Sequence, residues 1–249
     1  MLSSRLLPAL VLLLVLLFSV VAGAPARLIT YFVPAEDVVL EGLSGTVWEG
    51  SASRAMVRIP SGYLHLGAVS WNLHPLSLLT FSPALDLRSD WGGQRLRAQA
   101  QWRGEGHVSL RDVEGRFAAD LLRQFAPLAL GGYFDVQLNE LEIEENLPNG
   151  GEGRLVWERA NWQSPRGAVA LGTYALDFAQ EAGAPLVGNV LTLAGPLQAE
   201  GRVELDGRRY VLDIALDSEG GFDRQLREAL TLMATPEGDG YRLQLDAEF

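Results

Sequence analysis

The side chains best suited to acid–base or metal chemistry in this chain are three histidines, His65, His74 and His107. No two of them stand four residues apart in a helical pattern, and none has a second ligand at the spacing a metal site requires. Each reads as a strand or surface histidine. Gly42-Leu43-Ser44-Gly45 lacks the final glycine of the G-x-S-x-G elbow, so Ser44 is not presented as a nucleophile. Gly104-Glu105-Gly106 runs on to Ser109 in a hairpin context, which is neither a phosphate loop nor a dinucleotide fingerprint. The densest carboxylate group is Glu140, Glu142, Glu144 and Glu145. On a strand, the first three share one face while Leu141 and Ile143 share the other. A calcium site would need turn carbonyls and a glycine inside the loop, so this row reads as a solvated face or a guarded edge. The chain has no cysteine, which removes thiolate metal sites, disulfides and cysteine nucleophiles. The sequence therefore offers no catalytic residue, metal site or cofactor site, and the expectation is a protein that is not an enzyme and takes no small-molecule substrate.

The elements that would carry such groups point elsewhere. From Leu6 to Ala26 the chain is uncharged over 21 residues, with Arg5 before the run and Arg27 after it. As a helix this run extends about 31 Å, enough to cross a bilayer core. Two readings fit it. A cleaved signal peptide would use Arg5, the apolar stretch Leu10 to Val21 and Ala22-Gly23-Ala24 as the cleavage site. A retained anchor fits the length better, because signal-peptide apolar regions run about 7–15 residues and Pro25 is a poor residue after a cleavage point. The expected division is residues 1–5 in the cytoplasm, a transmembrane signal anchor over 6–26 with Leu6, Leu10, Leu14, Phe18 and Val21 along it, and a β-rich domain outside the cytoplasm over 27–249.

Composition limits the partners. The net charge is −11 and every one of the 20 basic residues is arginine. Phosphate recognition needs clustered cations, so nucleic acid is excluded as a partner, and so is a basic surface for anionic headgroups. With 48% hydrophobic residues the chain can bury a core.

After residue 55 the apolar residues alternate with period two, the signature of half-buried strands. Tyr63 to Trp71, Ala84 to Arg88, Arg95 to Trp102 and Tyr133 to Ile143 are strands on this pattern. Leu155–Glu158, Ala168–Phe178, Val190–Ala194 and Arg202–Leu205 follow. Tyr210, Leu212, Ile214 and Leu216 share one face, as do Tyr241, Leu243, Leu245, Ala247 and Phe249 at the end. Asp206-Gly207, Pro148-Asn149-Gly150-Gly151 and Gly238-Asp239-Gly240 read as turns. Phe117, Leu121, Leu122 and Phe125 recur at helical spacing and stop at Pro127; Phe222, Leu226, Ala229, Leu230 and Met233 do the same before Pro236. Leu76 to Leu79 after Pro75 suggests a single helical turn. The expected fold is mainly β: one N-terminal transmembrane helix, then a large twisted antiparallel sheet laid out as a meander, open as a half-barrel or groove, with two or three short helices.

Two local patterns are more specific. Leu43-Ser44-Gly45-Thr46-Val47-Trp48-Glu49-Gly50 is followed about twenty residues later by Val69-Ser70-Trp71-Asn72-Leu73-His74-Pro75-Leu76-Ser77-Leu78-Leu79. The residues read as structural: Gly45 permits a bulge or turn, Trp48 packs, Gly50 ends a strand, Trp71 and Leu73 face one way, and Pro75 starts a turn whose Leu76 and Leu79 cover the sheet edge. The pair resembles the opening of the type II secretion system protein N family, a G-T-[LV]-W-x-G strand and then a W-x-L-x-P-x-x-L-L strand and turn. The closing Asp239-Gly240-Tyr241-Arg242-Leu243 resembles that family's end.

The resemblance implies an accessory inner-membrane component of the type II secretion system in Gram-negative bacteria, single-pass with its bulk in the periplasm. Such a component assists export of folded exoproteins through contacts with the secretin or with inner-membrane platform proteins, and its other partner is the lipid bilayer of the inner membrane. It supplies no catalytic residues. The alternative from the same early pattern is an AsmA-like protein that binds or transfers lipid in an apolar β groove.

Overall fold

In the computed structural model the described residues are 3–31, 36–59, 62–104, 106–124, 129–145, 147–164 and 166–248. The chain divides into two compact units, residues 1–91 and 92–249. Fourteen strands, all antiparallel where their pairing is described, carry most of the chain.

The first unit begins with helix α1, Ser3–Ala22. Leucine and alanine favour the helix, and it ends where Gly23, Pro25 and a 3-10 turn over Ala26–Tyr31 follow. The helix therefore stops four residues short of Ala26. Four strands follow: β1 Val38–Gly45, β2 Glu49–Ile59, β3 Gly62–Leu73 and β4 Ala84–Trp91, paired in sequence order. Between β3 and β4 lies a 3-10 helix, Pro75–Thr80, with the proline in its first turn. The unit's core is small: Ala26, Ala52 and Trp71 are buried, with Ile29, Leu40, Leu43, Leu85 and Leu87 packed around them.

The second unit holds β5 Gln94–Gly104, β6 His107–Ala118, β7 Leu130–Glu144, β8 Leu147–Ser164, β9 Gly167–Gln180, β10 Leu186–Ala194, β11 Gln198–Asp206 and β12 Arg209–Asp217. Each pairs with the next. Helix α2, Arg224–Met233, is capped by Asp223, whose carboxylate accepts from the Gln225 and Leu226 amides. It leads to the short β13, Thr235–Glu237, and to β14, Gly240–Glu248, which inserts between β12 and β13.

Register sorts the second unit's side chains onto two unlike faces. One face carries an aromatic row across four strands: Phe117, Phe134, Trp157 and Tyr174 sit opposite one another in turn, with ring centroids 5.5, 5.5 and 5.9 Å apart. The row continues in apolar pairs such as Leu176–Val190, Val203–Leu212 and Leu212–Leu245. The Tyr174 hydroxyl is buried and donates to the Leu197 carbonyl at 2.9 Å. The burial of that phenol pushes its ionisation well above the usual range. The other face is a lattice of cross-strand ion pairs. Arg116 bridges Asp135 (3.2 Å) and Glu158 (2.9 Å), Arg242 holds Asp213 at 2.7 Å, Arg209 holds Asp246 at 2.6 Å, and Arg154 pairs with Asp177. Period-two alternation thus builds one apolar and one charged face. Against the apolar face lie Phe222, Leu226 and Leu230, packed near Leu197 and Tyr241.

Several sequence expectations shift. Phe117 belongs to strand β6, opposite Phe134, and the helical stretch after it is a 3-10 turn over Ala119–Gln124; Phe125 and Pro127 lie outside the described residues. Pro148-Asn149-Gly150-Gly151 is the opening of β8 rather than a turn. Gly151 meets the partner strand so closely that a Cβ would stand 2.5 Å from the Glu140 carbonyl. The hairpin after β11 turns on Gly207-Arg208, one residue later than expected, since Asp206 still pairs with Arg209. Phe249 lies outside the described residues.

Candidate functional site

The residues of the two motifs converge where α1 meets the first unit's sheet. Gly45 ends β1 and Gly50 lies in β2, paired directly with it. Gly45-Thr46-Val47-Trp48-Glu49-Gly50 is therefore a hairpin turn, not a strand, and Gly50 begins a strand rather than ending one. The turn closes by the Thr46 amide donating to the Glu49 carbonyl at 2.8 Å. Gly45 sits at φ 83°, a left-handed conformation that favours glycine. Gly50 has a different reason: the Trp71 indole lies over it, and a Cβ there would stand 2.5 Å from the ring.

The turn is held from two sides. On one side, the last turn of α1 leaves carbonyls with no intrahelical partner. The Trp48 indole N–H donates to one of them, on Val21, at 2.7 Å. The Val47 amide donates to the Ala24 carbonyl at 2.9 Å, and Pro25 bridges to Thr46. Ala26 is then buried at 2% exposure beside Ala52 and Trp71. On the other side, the Trp71 indole donates to the Val47 carbonyl at 3.1 Å and the Leu73 amide to the Trp48 carbonyl at 2.7 Å. Gly45, Trp48, Gly50, Trp71 and Leu73 thus build one joint between helix and sheet. Pro75 opens the 3-10 helix two residues beyond Leu73. Leu76 and Leu79 do not cover the sheet edge: both are 77% exposed. The 3-10 turn spends its hydrogen bonds inward, through Ser77, and its leucines point out.

Along α1, every large apolar side chain from Val11 to Val21 is between 46% and 72% exposed, Leu14, Phe18 and Val21 among them. Leu6 and Leu10 belong to the part of the helix whose side chains lie outside the described residues. Among the described residues, no helix is long and apolar enough to cross a membrane.

Chemistry is sparse. Among the described residues no group of histidines and carboxylates could hold a metal ion. His107 hydrogen-bonds Glu142 at 2.9 Å, His74 meets Asp86 at 3.0 Å, and His65 stacks on Trp91. Glu140 is paired with Arg111. Burial works to raise the Glu142 pKa, but the hydrogen bond with His107 and the charge of Arg103 hold it below the usual range. An open cleft of about 370 Å³ on the first unit is lined by Ser44, Ser51, Ser70, Asp86 and Arg88 among others. Its Ser44 and Ser51 hydroxyls bond each other at 2.8 Å rather than a base, so no activated nucleophile is assembled there.

The chain as a whole is similar to known proteins. Residues 36–244 match the model of the family described as type II secretion system (T2SS), protein N. The chain belongs to that family. It is 30% identical over 241 residues to the type II secretion system protein N of Vibrio cholerae serotype O1, covering 91% of each chain. It is 26% identical over 224 residues to the protein of that name from Aeromonas hydrophila, covering 87% of each. The likeness to the Pectobacterium carotovorum protein is 27% over 183 residues, 72% of this chain and 70% of the relative. No solved structure matches. The family resemblance was legible in the sequence; the joint that these residues form was not, because it depends on the Val21 and Ala24 carbonyls, which no side-chain pattern marks.

Proposed function

We propose that this family member is a non-catalytic accessory component of the type II secretion system, held in the inner membrane by the uncharged run Leu6 to Ala26, of which α1 forms the helical part, with its sheet in the periplasm. It assists export of folded exoproteins by contacts with the secretin or with inner-membrane platform proteins. The observation that carries this reading is the pairing of a bare apolar helix with a built joint. Leu12, Leu14, Leu16 and Phe18 are 55–72% exposed, and lipid is the medium in which so apolar a surface is stable. The Trp48 and Val47 hydrogen bonds then fix the sheet to the helix end, confining it close to the bilayer and raising its effective concentration for membrane-held partners. Crosslinking of the full-length protein in native membranes tests this. Recovery of secretin or platform components supports it; unimpaired exoprotein export after deletion of the gene counts against it.

A second reading is supported by the second unit. The face bearing Phe134, Trp157, Leu176 and Leu212 carries apolar side chains strand after strand, while the arginines and carboxylates lie on the opposite face. A sheet face of this kind, against part of which the short helix α2 lies, suits acyl chains, as in an AsmA-like lipid-binding protein. A photoactivatable phospholipid introduced into cells should then label β7 to β12. Labelling confined to α1 would remove this reading.

A further inference from the structure

We infer that the 3-10 segment after β3, Pro75 to Phe81, is a second membrane contact: it rests on the surface of the phospholipid bilayer that α1 enters. The inference depends on the reading of α1 as an anchor and adds a surface to it.

Leu76 and Leu79 are 77% exposed and Phe81 is 91% exposed. From Pro75 to Leu85 the chain carries no charged residue. The segment is nonetheless held in one conformation. The Ser77 hydroxyl donates to the His74 carbonyl at 2.6 Å and accepts from the Ala84 amide at 2.8 Å, and the His74 amide donates to the Ala84 carbonyl at 2.9 Å. Polar groups turned inward and apolar groups turned outward reverse the usual pattern of a water-facing loop. Phe81 sits at φ 53°, a conformation costly for a side chain of its size, and it leaves the ring in the open.

The joint says what covers these side chains. Val21 at the end of α1 is bonded by Trp48, Trp48 is bonded by Leu73, and Leu73 is two residues before Pro75. The segment therefore leaves the sheet at the end to which the helix is tied, at the level where α1 would emerge from the hydrocarbon. Aromatic and apolar side chains beside a helix end are the residues that partition into the headgroup region. A protein partner would ask for some polar complement; the stretch offers no charge, and its Ser77, Thr80 and Ser82 hydroxyls are engaged by the segment's own backbone.

The absence of native cysteine allows single-site labelling. Leu14→Cys, Leu79→Cys and Tyr63→Cys are each given an environment-sensitive fluorophore in the full-length chain. The protein is reconstituted into vesicles of phosphatidylethanolamine and phosphatidylglycerol doped with nitroxide lipids. Tyr63 is an exposed site at the far end of β3, about 33 Å from Leu73 along the strand. The expected result is quenching at position 14 by deep nitroxides, a blue shift and quenching at 79 by headgroup nitroxides, and neither at 63. Quenching at 14 with position 79 as aqueous as 63 would overturn the inference and leave the anchor intact. Shielding at 79 that arises only when secretion components are added would also overturn it, in favour of a protein contact. Loss of quenching at 14 would bring down the anchor reading and this inference with it.

Discussion

The indole N–H of Trp48 donates to the backbone carbonyl of Val21 at 2.7 Å, joining residues 27 positions apart. That one bond connects the end of an apolar helix to the tip of a β hairpin. It does so at a carbonyl of the helix's last turn that also accepts from the Ala24 amide at 3.2 Å. Around it, the Val47–Ala24 bond, the Pro25–Thr46 bridge and buried Ala26 make the joint continuous with the first unit's core.

Trp48→Phe keeps the ring but removes the donor. The Val21 carbonyl loses its side-chain partner, and a stability loss of about 0.5–1.5 kcal/mol is expected in chemical unfolding of the reconstituted protein. Protection of the Val47 amide against hydrogen exchange should fall with it, because the same turn donates to Ala24.

Trp71→Ala empties the centre of a small core. The ring is 8% exposed, packs over Gly50 and donates to the Val47 carbonyl. A loss of about 3–5 kcal/mol is expected. A change below about 0.5 kcal/mol would place the ring in solvent.

Gly50→Ala tests the close approach from the other side. The new Cβ would stand 2.5 Å from the Trp71 ring and 2.6 Å from the Thr46 carbonyl, and the expected cost is about 1–3 kcal/mol. Gly220→Ala, where a Cβ meets nothing within 4 Å and φ is unremarkable, should change stability by less than about 0.5 kcal/mol.

Acid should weaken the second unit. Hydrogen bonds from Arg154, Arg242 and Arg209 hold Asp177, Asp213 and Asp246 below their ordinary pKa, and Glu142 is held down as described. Carboxylates with a lowered pKa in the folded state stabilise it fully above the ordinary range and lose that contribution as pH falls through the folded value. Asp135 has the opposite sign, since burial raises its pKa and protonation there favours the folded state. Four groups against one give the direction: urea midpoints level from about pH 7 to 5 and declining below about pH 4.5. A midpoint that rose on acidification would contradict the ion-pair lattice.

Much of the sheet was legible because alternation survives wherever one face is apolar. Tyr210, Leu212, Ile214 and Leu216 fall on one face of β12, and Tyr241, Leu243 and Leu245 on the matching face of β14. The failures have local causes. Thr46-Val47-Trp48 is β-branched and aromatic, the composition of a strand, yet Gly45 at positive φ and the tertiary bonds of Trp48 make it a turn. Gly150-Gly151 looks like a turn, but its glycines serve a strand pressed against the Glu140 backbone. Phe117 matched a helical spacing by coincidence, and its partner Phe134 lies seventeen residues on, beyond any window of periodicity. Leu76 and Leu79 read as edge cover because apolar residues ordinarily seek burial. Their exposure follows from Ser77, whose hydroxyl closes the turn beneath them.

In the proposed function, α1 stays attached to the sheet it grips. Intact-mass measurement of the protein recovered from fractionated cell envelopes tests this most directly. A species retaining residues 1–24 in the inner-membrane fraction is the expected result; a species beginning at Pro25 in the soluble periplasm would contradict it.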